Sequence, residues 1–106
     1  MPKVARGPLD DTIHAQARLA IVAFLNGLDA ASFKTLKESL DLTDGNLSVH
    51  LRRLEEAGYV EVAKAFVGRK AQTTVRLTAA GRSAFAEYVA TLAGMLGLPL
   101  DERFVR

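Results

Sequence analysis

A chain of 106 residues, 49% hydrophobic and 25% charged, carries enough apolar material for one small core, yet at this length it leaves much surface that a partner could cover. It has no cysteine, which excludes a disulfide framework, a thiolate metal site and a cysteine nucleophile together. The net charge of +2 says little when averaged over the chain, and no apolar run is long enough for a signal peptide or a membrane span, so a cytoplasmic protein is expected.

Residues 1–10, with Pro2, Gly7 and Pro8, read as a flexible N-terminal arm. A long helix is predicted from Asp11 to Asn26, with Gly27 at its C′ position. Its core stripe is Ile13, Ala17, Ala20, Ile21, Phe24 and Leu28, but Ala15, Leu19, Val22 and Ala23 make the opposite side apolar as well. A helix apolar all round needs cover on both sides, and in so short a chain the second cover is another subunit. Ser32 is suited to cap a short helix from Phe33 to Leu40, whose Lys34 and Lys37 stay outside.

After the linker Asp41-Leu42-Thr43 comes a helix with stop signals at both ends. Thr43 is the expected N-cap, Leu42 and Leu47 suit a hydrophobic staple, and Gly58 suits a left-handed C′ residue with Tyr59 folded back on Leu54. Leu47, Leu51 and Leu54 form the inward stripe, while Gly45, Asn46, Val49, Arg52, Arg53 and Glu56 point away. Two helices joined by so short a linker, the second polar outside, form a helix-turn-helix pattern. The period then changes from 3.6 to 2: Tyr59, Val60, Val62 and Phe66, then Thr74, Val75 and Leu77, form a hairpin whose tip is Val67-Gly68-Arg69-Lys70. Thr78 caps a last helix with Phe85, Tyr88, Val89, Leu92 and Leu96 on one face, stopped by Gly97 and Pro99. Gly81 in its first turn costs helix propensity, so the backbone is expected to pack closely against the hairpin there.

From Val62 through Ala86 there is no acidic residue, while Lys64, Arg69, Lys70, Arg76 and Arg82 supply positive charge, a bias suited to a polyanion or to a merely solvated strand and turn. The run from Leu47-Ser48-Val49-His50-Leu51 through Leu54-Glu55-Glu56-Ala57-Gly58-Tyr59, followed by Leu77-Thr78-Ala79-Ala80-Gly81-Arg82, resembles the small winged helix-turn-helix transcriptional regulators related to the MarR and ArsR groups. The resemblance covers about residues 15 to 92. It implies an α+β, mostly α fold: three helices, a two-stranded wing hairpin and a long C-terminal helix, with the DNA-binding domain and its dimerising terminal helices at residues 11–97 and a tail at 98–106. It also implies a homodimer whose recognition helices sit one DNA turn apart, about 34 Å.

Double-stranded DNA is the expected partner, and the protein would be nucleoid-associated through it. Asn46, Val49 and Arg53, with Arg52 beside them, offer base-reading chemistry for a major groove. Ser48 suits phosphate. His50 suits either phosphate or a hydrogen bond within its own protein. Arg69 and Lys70 at the tip can reach a minor groove or phosphate, with Lys64 and Gln72 secondary and Lys34 and Lys37 near backbone phosphate. The expected dimer interface is Ile13, Leu19, Val22, Tyr88, Leu92, Met95 and Leu96.

An enzyme finds no support: the only histidines are His14 and His50, the acidic pairs diverge around helices, and no phosphate loop is present. No cofactor and no metal are expected. A small apolar effector between the first and last helices, or no effector, are both compatible with the sequence. The alternatives to a specific regulator are a winged-helix protein–protein module, which acidic residues on the recognition face would have favoured, and a non-specific DNA-binding protein.

Overall fold

Ser32, Thr43 and Thr78 each stand immediately before a helix and accept a hydrogen bond from the amide three residues on, Thr35 at 3.0 Å, Asn46 at 3.1 Å and Gly81 at 3.0 Å. Each satisfies one of the amides that a helix start leaves unpaired. The computed structural model describes residues 9–99. Its elements are α1 (Gln16–Asn26), β1 (Ala31–Ser32), α2 (Phe33–Ser39), α3 (Asp44–Glu56), β2 (Val60–Val67), β3 (Lys70–Leu77) and α4 (Ala79–Leu96). Most of the expected N-terminal arm and all but the first two residues of the expected tail lie outside the described residues.

The first helix is shorter than its apolar pattern predicts. The Asp10 carboxylate accepts from the amides of Thr12 and Ile13, at 2.8 and 3.2 Å, and closes a turn in place of a first helical turn. Ala15 is extended, so α1 starts at Gln16. The turn drops Ile13 into the core, where it is fully buried. Asp10 and Leu9 thereby belong to the fold and not to an arm: Leu9 packs against the core, and the second Asp10 carboxylate oxygen accepts from the Tyr59 hydroxyl. The buried line of α1 is Ile21, Val22 and Leu25. Val22 was expected outside and Leu28 inside; Leu28 is instead 40% exposed. Gly27 serves as the C-cap with a negative φ.

The linker between α2 and α3 is a Schellman turn. The Leu42 amide donates to the Lys37 carbonyl at 3.0 Å, with Asp41 left-handed at φ 54°. The end of α3 repeats the device as predicted, with Tyr59 N donating to Leu54 O at 2.9 Å, Gly58 N to Glu55 O at 2.9 Å, and Gly58 at φ 80°.

β2 and β3 pair antiparallel from Val60↔Leu77 to Val67↔Lys70, leaving Gly68-Arg69 as a two-residue turn. The predicted two-stranded hairpin is in fact two strands of a three-stranded sheet ordered β1-β3-β2, because Ala31 and Ser32 pair with Val75 and Thr74. Two residues carry no periodicity, so β1 had no signature. Val60, Val75 and Leu77 tie the base of the hairpin into a core shared with Leu36, Leu47, Leu51, Leu54 and Tyr88. From Ala63 to Gln72 every residue is exposed, so the outer half of the hairpin projects from the body.

One small contact sets the direction of that projection. The Tyr59 carbonyl accepts from Thr78 N at 3.0 Å, and the Thr78 hydroxyl donates to Gly58 O at 2.6 Å. A Cβ at position 81 would stand 2.2 Å from Tyr59 O and 2.9 Å from Leu77 Cδ2. Glycine is therefore required there, as the sequence predicts. Gly94, also in α4, has nothing within 4 Å of a built Cβ. Gly81→Ala is expected to lower stability by about 2 kcal/mol or more, because overpacking against backbone outweighs a helix-propensity gain of about 1 kcal/mol. Gly94→Ala should raise stability by about 0.5–1 kcal/mol. Thermal unfolding of the two variants, with melting temperatures moving in opposite directions, checks both.

Candidate nucleic-acid interface

The helical repeat divides the surface of α3 around its buried stripe of Leu47, Leu51 and Leu54. Ser48, Arg52 and Glu55, at i, i+4 and i+7, line one flank. Asn46, His50 and Arg53, at the same spacing, line the other, and Val49 stands between them, 59% exposed. Asn46, Ser48, Arg52 and Arg53 are exposed, and His50 is half-buried.

The hairpin rises beside the first flank. An open groove runs between α3 and the sheet, lined by Ser48, Leu51, Arg52 and Glu55 on one wall and by Val62, Lys64 and Thr73 on the other, with Phe33 among them. Lys64, expected as a secondary contact, thus shares a groove with Arg52. Arg69 occupies the turn and Lys70 the first position of β3, both exposed. A second groove, lined by Lys34, Lys70 and Gln72, connects the start of α2 to the hairpin tip.

Other charges of the acid-free run are spent within the fold. Arg76 donates from Nε and Nη2 to Glu61 Oε1, both at 2.7 Å, across the β2–β3 pair. Arg82 donates to the carbonyls of Asn26 at 2.9 Å and Leu28 at 3.0 Å, covering the open end of α1. Lys37 pairs with Asp44 at 3.1 Å on an exposed surface. Among the described residues this leaves Arg52, Arg53, Lys64, Arg69 and Lys70 on the α3 and hairpin face without an ion pair. Glu55 is the acidic group in the groove between them.

His50 has a partner within the chain, the second of the two roles its sequence position allowed: Arg18 Nη1 lies 3.2 Å from Nδ1. Burial, followed by the charges of Arg18 and Arg53, holds its pKa below the usual 6.5. Tyr59 is pushed up to about 12, first by donating to Asp10 and then by burial. In the sequence Arg18 reads as an interruption of an apolar helix, and no local signal pairs it with His50. No group of three metal-ligating side chains occurs among the described residues, and no helix among them is long and apolar enough to cross a membrane.

The expected dimer residues separate into two sets. Ile13 and Val22 are fully buried and Tyr88 is 4% exposed, so the chain's own core takes all three out of any outer surface. The phase of α1 and the Asp10 turn bring in the first two; Tyr88 packs inward with its hydroxyl 2.9 Å from His14 Nδ1. Leu19 and Leu92 are half-buried, while Met95 and Leu96 are 41% and 61% exposed.

A helix-turn-helix with a basic hairpin beside its second helix has a counterpart among known proteins. The sequence pattern of the winged helix DNA-binding domain family matches residues 17–96. The chain belongs to that family. An uncharacterized protein of Methanocaldococcus jannaschii is 46% identical over 72 residues, 68% of this chain and 78% of that protein. The winged helix also superposes on a transcriptional regulator homologue from Pyrococcus horikoshii, with a TM-score of 0.77 and 29% identity over 90% of this chain and 91% of that one. NadR, solved with 4-hydroxyphenylacetate, shares the fold at a TM-score of 0.69 and 22% identity, over 88% of this chain and 65% of NadR. Reduced AbfR bound to DNA shares it at 0.60 and 23% identity, over 80% of this chain and 59% of AbfR. The protein is thus a winged-helix DNA-binding protein.

Because folding lowers the pKa of His50, the unfolded chain binds more protons than the folded one between the lowered value and 6.5. His50's contribution to stability is present above pH 6.5 and is lost as pH falls through the folded pKa. Urea unfolding between pH 8 and 5 should show this loss, and His50→Gln should show a shallower pH dependence.

Proposed function

We propose that this winged helix is a sequence-specific double-stranded DNA-binding repressor that acts as a homodimer. The observation that carries the reading is the shared groove in which Lys64 of β2 faces Ser48 and Arg52 of α3, with Arg69 and Lys70 farther out on the same projecting hairpin. One duplex can then meet both elements: α3 in a major groove and the hairpin tip at the flanking minor groove or phosphate. Asn46, Val49, Arg52 and Arg53 supply base-edge chemistry, since Asn pairs with adenine, Arg with guanine, and a small apolar group meets the thymine methyl. Ser48, His50, Lys64, Arg69 and Lys70 supply positioning contacts to the backbone.

The proposed dimer surface is the outer apolar side of the terminal helices, Leu19, Leu92, Met95 and Leu96, with Leu98, 58% exposed, just beyond α4. A two-fold axis there would set two α3 helices against half-sites about 34–36 Å apart, and repression follows from occupying promoter DNA. The AbfR solved in a disulfide form has no redox parallel here, since this chain has no cysteine.

Arg53→Ala is expected to reduce discrimination among sequences by about 1–3 kcal/mol. Arg69→Ala should weaken all sequences alike and reduce the salt slope by about 0.9. Anisotropy titrations with a duplex from upstream of its own gene and with random duplex read both effects; equal affinity for the two duplexes at every salt concentration contradicts specific binding. Sedimentation at micromolar concentration should give a dimer, and Leu92→Glu with Leu96→Glu should give a monomer. A wild-type monomer removes the paired half-site arrangement.

A further inference from the structure

Arg18 is the charged residue beside the recognition helix that the DNA-binding reading leaves without a role. It lies on α1, donates from Nε to the Thr12 carbonyl, and holds Nη1 3.2 Å from His50 Nδ1. A guanidinium has only donors and keeps its proton at any accessible pH. His50 Nδ1 must therefore be the accepting nitrogen, which leaves the imidazole neutral with its proton on Nε2.

The surroundings of His50 are cationic. Arg18 reaches it from α1 and Arg53 from α3, and both disfavour its protonated form. Among the described residues neither arginine forms an ion pair with a carboxylate. Two unpaired guanidinium groups around a neutral imidazole donor make an anion site with no anion of the protein's own. It lies on the Asn46–His50–Arg53 flank of α3, across the helix from the Ser48–Arg52–Glu55 flank that meets the hairpin.

We propose that Arg18 and His50 form a second backbone-phosphate site, on the side of α3 away from the wing, in which Arg18 acts as a positioning residue that presents His50 Nε2–H to the phosphate while Arg53 beside them reaches the base edges. The inference rests on the DNA-binding reading and adds to it a residue from the first helix. Phosphate on both flanks would hold α3 in the groove from two sides, so that base contacts are made at one fixed depth.

Anisotropy titrations of the full chain, with a duplex from upstream of its own gene and with random duplex, test this across salt concentration. Arg18→Met should lose roughly tenfold in affinity and about 0.9 of the salt slope. His50→Gln, which keeps an amide donor near the Nε2 position, should retain part of the affinity. Should Arg18→Met fail to fold, Arg18→Gln, which keeps a donor for Nδ1 without the charge, gives the same salt-slope readout. Nitrogen NMR of the free protein should show His50 as the Nε2–H tautomer, and an Nδ1–H signal overturns the proposal. Wild-type binding with an unchanged salt slope in Arg18→Met, or in Arg18→Gln in its place, overturns it as well. Failure of the wild type to bind either duplex instead removes the DNA reading on which the proposal stands.

Discussion

The backbone of Tyr59 does three jobs within a few ångströms. Its own residue closes the Schellman turn at the end of α3 and leads directly into β2; the carbonyl itself accepts from Thr78 N, and it occupies the place where a side chain on residue 81 would begin. Helix α3, the hairpin and the first turn of α4 are thereby locked to one another through backbone. The outer half of the hairpin makes no core contact, so its direction relative to α3 has to be set at its base. A side chain at position 81 would push α4 from the hairpin and change the angle at which Lys64, Arg69 and Lys70 stand to Arg52 and Arg53.

The N-terminal turn reinforces the same place from the other side. Asp10 uses one carboxylate oxygen to hold the Thr12 and Ile13 amides and the other to accept from the Tyr59 hydroxyl. The phenol remains a donor at any ordinary pH because that hydrogen bond and burial keep its pKa near 12. Charge is distributed on the same principle: Arg76 is neutralised across the strand pair and Arg82 covers a helix end, both near the base of the hairpin, whereas Lys64, Arg69 and Lys70 farther out have no ion-pair partner among the described residues. Cations close to the body hold the fold, and those that project are available to a polyanion.

Local chemistry was the most legible part of the chain. The hydroxyl caps, the left-handed Gly58 and the need for glycine at 81 each follow from a few adjacent residues, and the structure has all of them. The division of α3 into a leucine stripe and a polar face followed from period alone. What escaped depends on partners distant in sequence. Arg82 reads as free charge until the end of α1 is brought beneath it, and Arg18 reads as an interruption in an apolar helix until His50 arrives from α3. The apolar pattern from Asp11 onward puts Val22 outside and Ile13 in a helix; the Asp10 carboxylate, five residues before Ala15, shifts the start, and no periodicity records that competition. β1 is two residues long and exists only because Val75 and Thr74 lie beside it.

The central claim is that α3 and the projecting hairpin form one DNA-facing surface, set by the Tyr59–Gly81 contact. Amide chemical-shift mapping of the labelled protein, titrated with a duplex from upstream of its own gene, tests this most directly. Shifts concentrated at residues 44–53 and 64–70, and lost together in Gly81→Ala at a temperature where that variant stays folded, are the predicted result. Shifts on the outer side of α4 with residues 44–53 and 64–70 unperturbed would contradict it.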